Sequence, residues 1–336
     1  MATSAPPTAG QFLRYSSLTV SSSDATNNSI LALSSSDLPA QAGSATSGGG
    51  LRFKFEVRAS DVATPNTMSV RIYNLADSTR QTVLSEYDRV TLTAGYQNGN
   101  KGIIFSGDIK RYGFGRERNV DSYLQIDAGD GDKPYTSASI AQSFPNTTSD
   151  SDLLKAYAAA SNLPIATGAD GFLEAGGTRV NPRGQVSFGL TRGFIDELAA
   201  SSGARWSIQN GALTLVPNTG YLPGQIVEVN TATGMIGTPE ATEQGVVVRC
   251  YLNPLIHIGR LIRISASDIN RYKVLNPINY PSVGSSFYPA TVTAEGTYRV
   301  LVVTHQGDTR GNDWISELTC LAVDISSPAS SSVAAG

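Results

Sequence analysis

Residues 51–57 read LRFKFEV, with Leu51, Phe53, Phe55 and Val57 on one face of an extended chain and Arg52, Lys54 and Glu56 on the other. Alternation with a period of two puts one face of a strand against a core and the other against water. Such a strand is not stable alone and needs neighbours with the same pattern. The sequence supplies them. Met68, Val70 and Ile72 alternate in MSVRIYNL, and Val90, Leu92, Ala94 and Tyr96 do so in RVTLTAGY. Asn98-Gly99 then gives a hairpin signal before GIIFSGDI, and VDSYLQIDA ends this first β unit. ADSTRQTVLSEY, between the second and third strands, reads as one short helix.

The middle of the chain changes period. SDSDLLKAYAAASNLPI has Ser149 or Ser151 as a helix cap, with Leu153, Leu154, Tyr157 and Ala158 on one face and Pro164 beyond the end. A second helix follows Thr191 through Phe194, Ile195 and Leu198 and stops near Gly203. ARWSIQNGALTLVP then reads as a hairpin turning at Asn210-Gly211. From about 217 the strands return in GVVVRCYL, GRLIRI, GTYRVLVVTH and WISELTCLAV.

The expected fold is therefore mainly β with an α+β insert. The boundaries expected are 1–50 for an N-terminal strand and Ser/Thr-rich loop, 51–135 for a first β domain, and 136–216 for the insert. Residues 217–325 form a second β domain and 326–336 a flexible tail. The Ser/Thr-rich stretch 16–50 reads as a loop, with LTV at 18–20 and ILAL at 30–33 as possible short strands. A weak internal repeat links the two β units. FSGDIKRYGFGRERNVDSYLQIDAGD and YRVLVVTHQGDTRGNDWISELTCLAVD both run strand, Gly/Arg turn, Asp, aromatic (Tyr123 or Trp314) and strand.

Composition narrows the function. Charged residues make up 16% of the 336 residues and the net charge is −3, so there is no basic footprint for gripping nucleic acid. MATSAPPTAGQ has neither the basic start nor the apolar run of a signal peptide, and no apolar run is long enough to span a membrane. The sequons at Asn27 and Asn146 then read as chance. Cys250 and Cys320 lie in apolar strand patterns and read as two buried free thiols, with a disulfide as the alternative.

No catalytic, cofactor or metal site emerges. His305 and Asp308 in VTHQGDTRGNDW are too few ligands for a metal, and His257 in NPLIHIGRLI, read as an apolar strand, has no acidic partner near it. The segment reads instead as a hairpin, with Arg310 and Asp313 as turn residues satisfying local backbone groups. Asp127, Asp130 and Asp132 lack the ligand ladder and closing Glu of a calcium loop and read as a solvated strand exit. There is no GxSxG, GFGRER is not a dinucleotide loop, and Arg111, Arg116, Arg118, Arg183 and Arg192 form no patch.

Three stretches together carry a resemblance: TPNTMSVRIYNLADSTRQ through the SYLQIDAGDGD segment, MIGTPEATEQGVVVRCYLNPLIHIGRLIRI, and GTYRVLVVTHQGDTRGNDWISELTC. Over residues 51–325 they resemble phage baseplate hub proteins, the tail-protein-D-like family; the Ser/Thr-rich stretch 16–50 departs from that pattern, being longer and less apolar than the family implies. The resemblance implies two related tube-type β-barrel domains per chain and a homotrimer with pseudo-sixfold symmetry. It also implies partners: a central spike protein, and the tail tube or a distal tube-like baseplate protein. DNA would pass through an acidic lumen without specific binding. The implied place is the virion baseplate of a contractile tail, after assembly in the host cytoplasm, with no membrane insertion and no enzymatic activity. The alternative is a β-rich hydrolase, a cell-wall-degrading tail enzyme, which needs a converging acid/base pair in a cleft.

Overall fold

The computed structural model describes residues 13–22, 30–35, 50–117, 120–166, 173, 180–242, 245–264 and 296–322. Its first β unit comprises β1 (Arg14–Ser21), β2 (Ile30–Ser34), β3 (Phe53–Ser60), β4 (Thr67–Tyr73), β5 (Arg89–Tyr96), β6 (Lys101–Glu117) and β7 (Asp121–Gly129). Helix α1 (Asp77–Glu86) joins β4 to β5. Next come α2 (Asp132–Ser137), β8 (Ser139–Phe144), α3 (Asp150–Ala160), β9 (Gln185–Leu190), α4 (Thr191–Ser201), β10 (Ala204–Gln209) and β11 (Ala212–Pro217). Strands β12 (Val227–Val229), β13 (Met235–Thr242), β14 (Gly245–Tyr251), β15 (Leu261–Ile264), β16 (Thr297–Asp308) and β17 (Trp314–Ala322) complete the chain.

The two β units are one sheet. Thirteen strands run in the order β13-β14-β17-β16-β3-β4-β7-β6-β5-β1-β2, with β15 on β16 and β12 beside β15. The units meet where β16 pairs antiparallel with β3, from Val302 opposite Ser60 to Asp308 opposite Lys54. Among the described residues this path does not close into a barrel; between β2 and the start of β3 there is a single backbone bond, Leu51 N–H to Ser34 O, at 3.3 Å.

Alternation explains which side of the sheet is covered. Phe53, Phe55, Val57, Met68, Val70, Ile72, Leu124 and Ile126 share a core with Leu18, Val20 and Leu33 of β1 and β2. A second core holds Val246, Val248, Cys250, Val300, Val303, Leu318 and Cys320, in which both thiols are free and buried. Each large apolar side chain buried this way contributes roughly 1.5–3 kcal/mol. The insert has its own core, with Leu153, Leu154, Tyr157, Ile195, Leu198, Trp206 and Leu215. Its first helix starts at a capping box. Ser149 Oγ accepts from the Asp152 N–H at 3.1 Å, and the Asp152 carboxylate accepts from the Ser149 N–H.

The possible short strands within the Ser/Thr-rich stretch are present as β1 and β2, because Leu18, Val20, Leu31 and Leu33 alternate inward and β1 pairs with β5 along its whole length. Three other local expectations change. His257 lies in a turn region ahead of β15, not in a strand. The hairpin after β5 is present, but no positive φ falls at Asn98 or Gly99; the left-handed pair is found at Asn210 (φ 52) and Gly211 (φ 80). Helix α2 went unread in the sequence because Pro134 and its short length hide it. The tail 326–336 lies outside the described residues.

Candidate functional site

The face of the sheet opposite its cores is polar across both β units. On β3 it carries the exposed Lys54, Glu56 and Arg58, which alternate with the buried Phe53, Phe55 and Val57. Cross-strand bonds tie the next strands together. Ser69 Oγ donates to Asp127 at 2.8 Å, Arg71 Nε to the Gln125 side chain at 3.0 Å, and Arg111 to Asp127 at 2.7 Å. In the other unit Arg249 Nε reaches Glu317 at 2.7 Å. Burial pushes the Asp127 carboxyl up, but the bonds from Gln125, Arg111 and Ser69 outweigh it and hold the group below its ordinary range. Charges of both signs alternate on this face, so it is mixed rather than acidic.

Strand order repeats along this face. β3-β4-β7-β6-β5 and β13-β14-β17-β16-β15 are the same antiparallel arrangement in the same chain order. The long strand of each set is bulged near the same place, between Ile109 and Arg111 and between Val300 and Val302. In each, a glycine lies opposite an aromatic: Gly115 faces Tyr123 and Gly307 faces Trp314. A Cβ on Gly307 would come within 2.3 Å of the Phe55 ring, so the close approach needs glycine.

The residues weighed in the sequence take structural roles. His305 is buried on β16, with Nδ1 2.8 Å from Ser316 Oγ; burial and His257 nearby push it down to about 4. Asp308 points elsewhere, into a pair of bonds from Arg52 Nε at 3.1 Å and Nη2 at 2.7 Å, and it also accepts from the Arg310 N–H at 3.0 Å. Arg310 donates to Gly50 O, and the Asp313 carbonyl accepts from the Asp308 N–H at 2.7 Å, which closes the hairpin. Arg14 of β1 donates to the Asp308, Gly311 and Asn312 carbonyls and stacks on Trp314, clamping the same turn from outside.

Asp130 corrects the solvated-loop expectation. It is 1% exposed and accepts the N–H groups of Asn210 at 2.5 Å and Gly211 at 2.8 Å, so it anchors the insert's β10–β11 turn to the sheet. Burial pushes its carboxyl up to about 7 against those bonds, with Asp108 adding to the rise. Asn66 Nδ2 donates to Ile208 O at 2.9 Å, and Gln209 Nε2 donates to Ser60 O at 2.8 Å. Nearby, Arg299 donates to the Pro217 and Gly220 carbonyls and lies 4.0 Å from Asp61. The sequence offered one signal for this joint, the left-handed Asn-Gly turn, whose two adjacent N–H groups are free to bind an anion. Asp130, His257 and His305 line a cavity of about 30 Å³, room for a water molecule and little else. Among the described residues no group of three His, Cys, Asp or Glu side chains is placed to hold a metal. Nor is any described helix long and apolar enough to cross a membrane.

Comparison with known proteins places this architecture. The family described as baseplate hub gp41 matches residues 41–276, well over half of the chain. The chain belongs to this baseplate hub family. No curated protein matches it in sequence. Among solved structures, the tail protein from Neisseria meningitidis MC58 superposes with a TM-score of 0.52 at 8% identity, covering 92% of this chain and 96% of that one. The prophage MuSo2 43 kDa tail protein from Shewanella oneidensis gives 0.51 at 8% identity, over 80% of this chain and 92% of its own. At such identity the hub shares a fold with these two proteins, and the family match carries the functional class: a phage tail structural protein.

Proposed function

We propose that this hub protein forms a homotrimeric ring with pseudo-sixfold symmetry, without catalysis, joining a sixfold tail tube to a threefold central spike. Residues 51–135 and 217–325 act as two tube-type domains, and the insert 136–216 stands outside the tube. The single observation that carries the reading is the five-strand order found twice in one chain. Three chains that each contribute two like units make a closed ring of six. The polar face opposite the cores then lines a channel. Arg111 and Arg249 on it are paired with carboxylates, which lowers the positive charge offered to DNA and suits passage without binding. The virion baseplate is its place of work.

The mass of the purified protein by size exclusion with light scattering tests this reading. A mass of three chains is expected, either alone or after addition of the spike protein. A monomer under both conditions would contradict it.

A further inference from the structure

The sheet shows how like units join, because one joint lies inside the chain. At that joint the C-terminal half of the long strand of one unit, residues 302–308 of β16, pairs with the first strand of the other, β3. The first half of β16 is occupied separately, by β15. Strand β6 is built the same way. Its first half, Lys101–Asp108, pairs with β5, and its second half continues along β7 to Glu117. Among the described residues no strand pairs with β6 over 111–117 on the side away from β7. At the far end of the sheet β13, the counterpart of β3, pairs with β14 alone among the described residues. Each chain therefore carries one open copy of each half of the joint that it has already made once.

We propose that residues 111–117 of β6 in one copy pair antiparallel with β13 of the next copy, repeating the β16–β3 joint between chains. This rests on the ring reading above and names its contact surface. The occupant is a second copy of this chain because the template for the open β6 edge is a first strand of the same unit type, and among the described strands β13 is the one left over. Matching Asp308–Lys54 of the internal joint sets Glu117 opposite Ile236, both on the polar face. Past the two residues that the bulge adds to β13, Glu240 stands where Glu56 does and Thr242 where Arg58 does, which sets Gly115 opposite Glu240 and Gly113 opposite Thr242. The bulge between Ile236 and Glu240, with Pro239 inside it, removes ladder donors from β13. The joint between chains is consequently shorter than the one within, and the ring parts at its three chain boundaries first.

Cysteine pairs test the joint. Glu117→Cys with Ile236→Cys in one chain is expected to give covalent dimers and trimers on mild oxidation, reversed by reductant. Gly113→Cys with Thr242→Cys, where Gly113 has room for a Cβ, reads the register beyond the bulge. Glu117→Cys with Leu321→Cys, on strand β17, should give none. The same samples are weighed before oxidation. A trimer by mass that yields only monomers on a denaturing gel for both test pairs would overturn the joint and leave the ring reading standing. A monomer by mass, with or without spike, that also fails to cross-link would overturn both.

Discussion

Two buried groups around one cavity make opposite demands on pH, and separating them is a sharp test of the junction between sheet and insert. Asp130 titrates near 7 when folded, against an ordinary 3.8. Between those values the folded chain holds an extra proton, so stability falls as pH rises through the window. At about 1.4 kcal/mol per pH unit the whole span is on the order of 4 kcal/mol. His305 titrates near 4 when folded, against 6.5. There the unfolded chain holds the extra proton, so stability falls as pH drops, by on the order of 3 kcal/mol across its span. His257 is also held low by burial and acts with the same sign. Between about pH 4.5 and 6.5 the two trends oppose each other and the wild-type profile should be nearly flat. Asp130→Asn removes one of them. Urea melts of that variant at pH 4.5, 5.5 and 6.5 should show stability dropping by more than 1 kcal/mol per unit as pH falls. His305→Gln should show the reverse slope, steepest near the middle of the window at about pH 5.5 and fading toward pH 7. An Asp130→Asn profile as flat as the wild type would refute this account of the buried carboxyl.

Other consequences are local. Asp308→Asn leaves the Arg52 guanidinium short of its charged acceptor and loosens the β16–β17 turn; a loss of about 2 kcal/mol is expected in chemical denaturation. Gly307→Ala drives a methyl into the Phe55 and Trp314 rings and should cost roughly 1–3 kcal/mol, read as a lowered Tm. Ser149→Ala removes the cap of α3 and should lower stability by about 1 kcal/mol, with faster hydrogen exchange confined to the first turn of that helix.

Strands were the most legible part of this chain. The alternation of Phe53, Phe55 and Val57 fixes both the strand and its buried face, and the same holds for β4, β5 and β7. What alternation leaves out is which strand lies beside which. The pairing of β16 with β3, which fuses the two units into one sheet, depends on partners 242 to 254 residues apart and leaves no local mark. Polar residues were hardest to read. Asp130 looks like its neighbours Asp127 and Asp132 in DAGDGDKPY, and only the docking of the Asn210-Gly211 turn, 80 residues on, makes it buried. β1 and β2 were obscured for another reason. Their inward leucines and valine sit among serines and threonines, which are acceptable on a strand's wet face but lower its apolar signal.

Class averages of the purified protein in the electron microscope, alone and with its spike, show whether the ring forms. End-on views should reveal a ring with six similar lobes around an open channel, threefold at finer detail. Compact particles without a channel, both alone and with the spike, would contradict it.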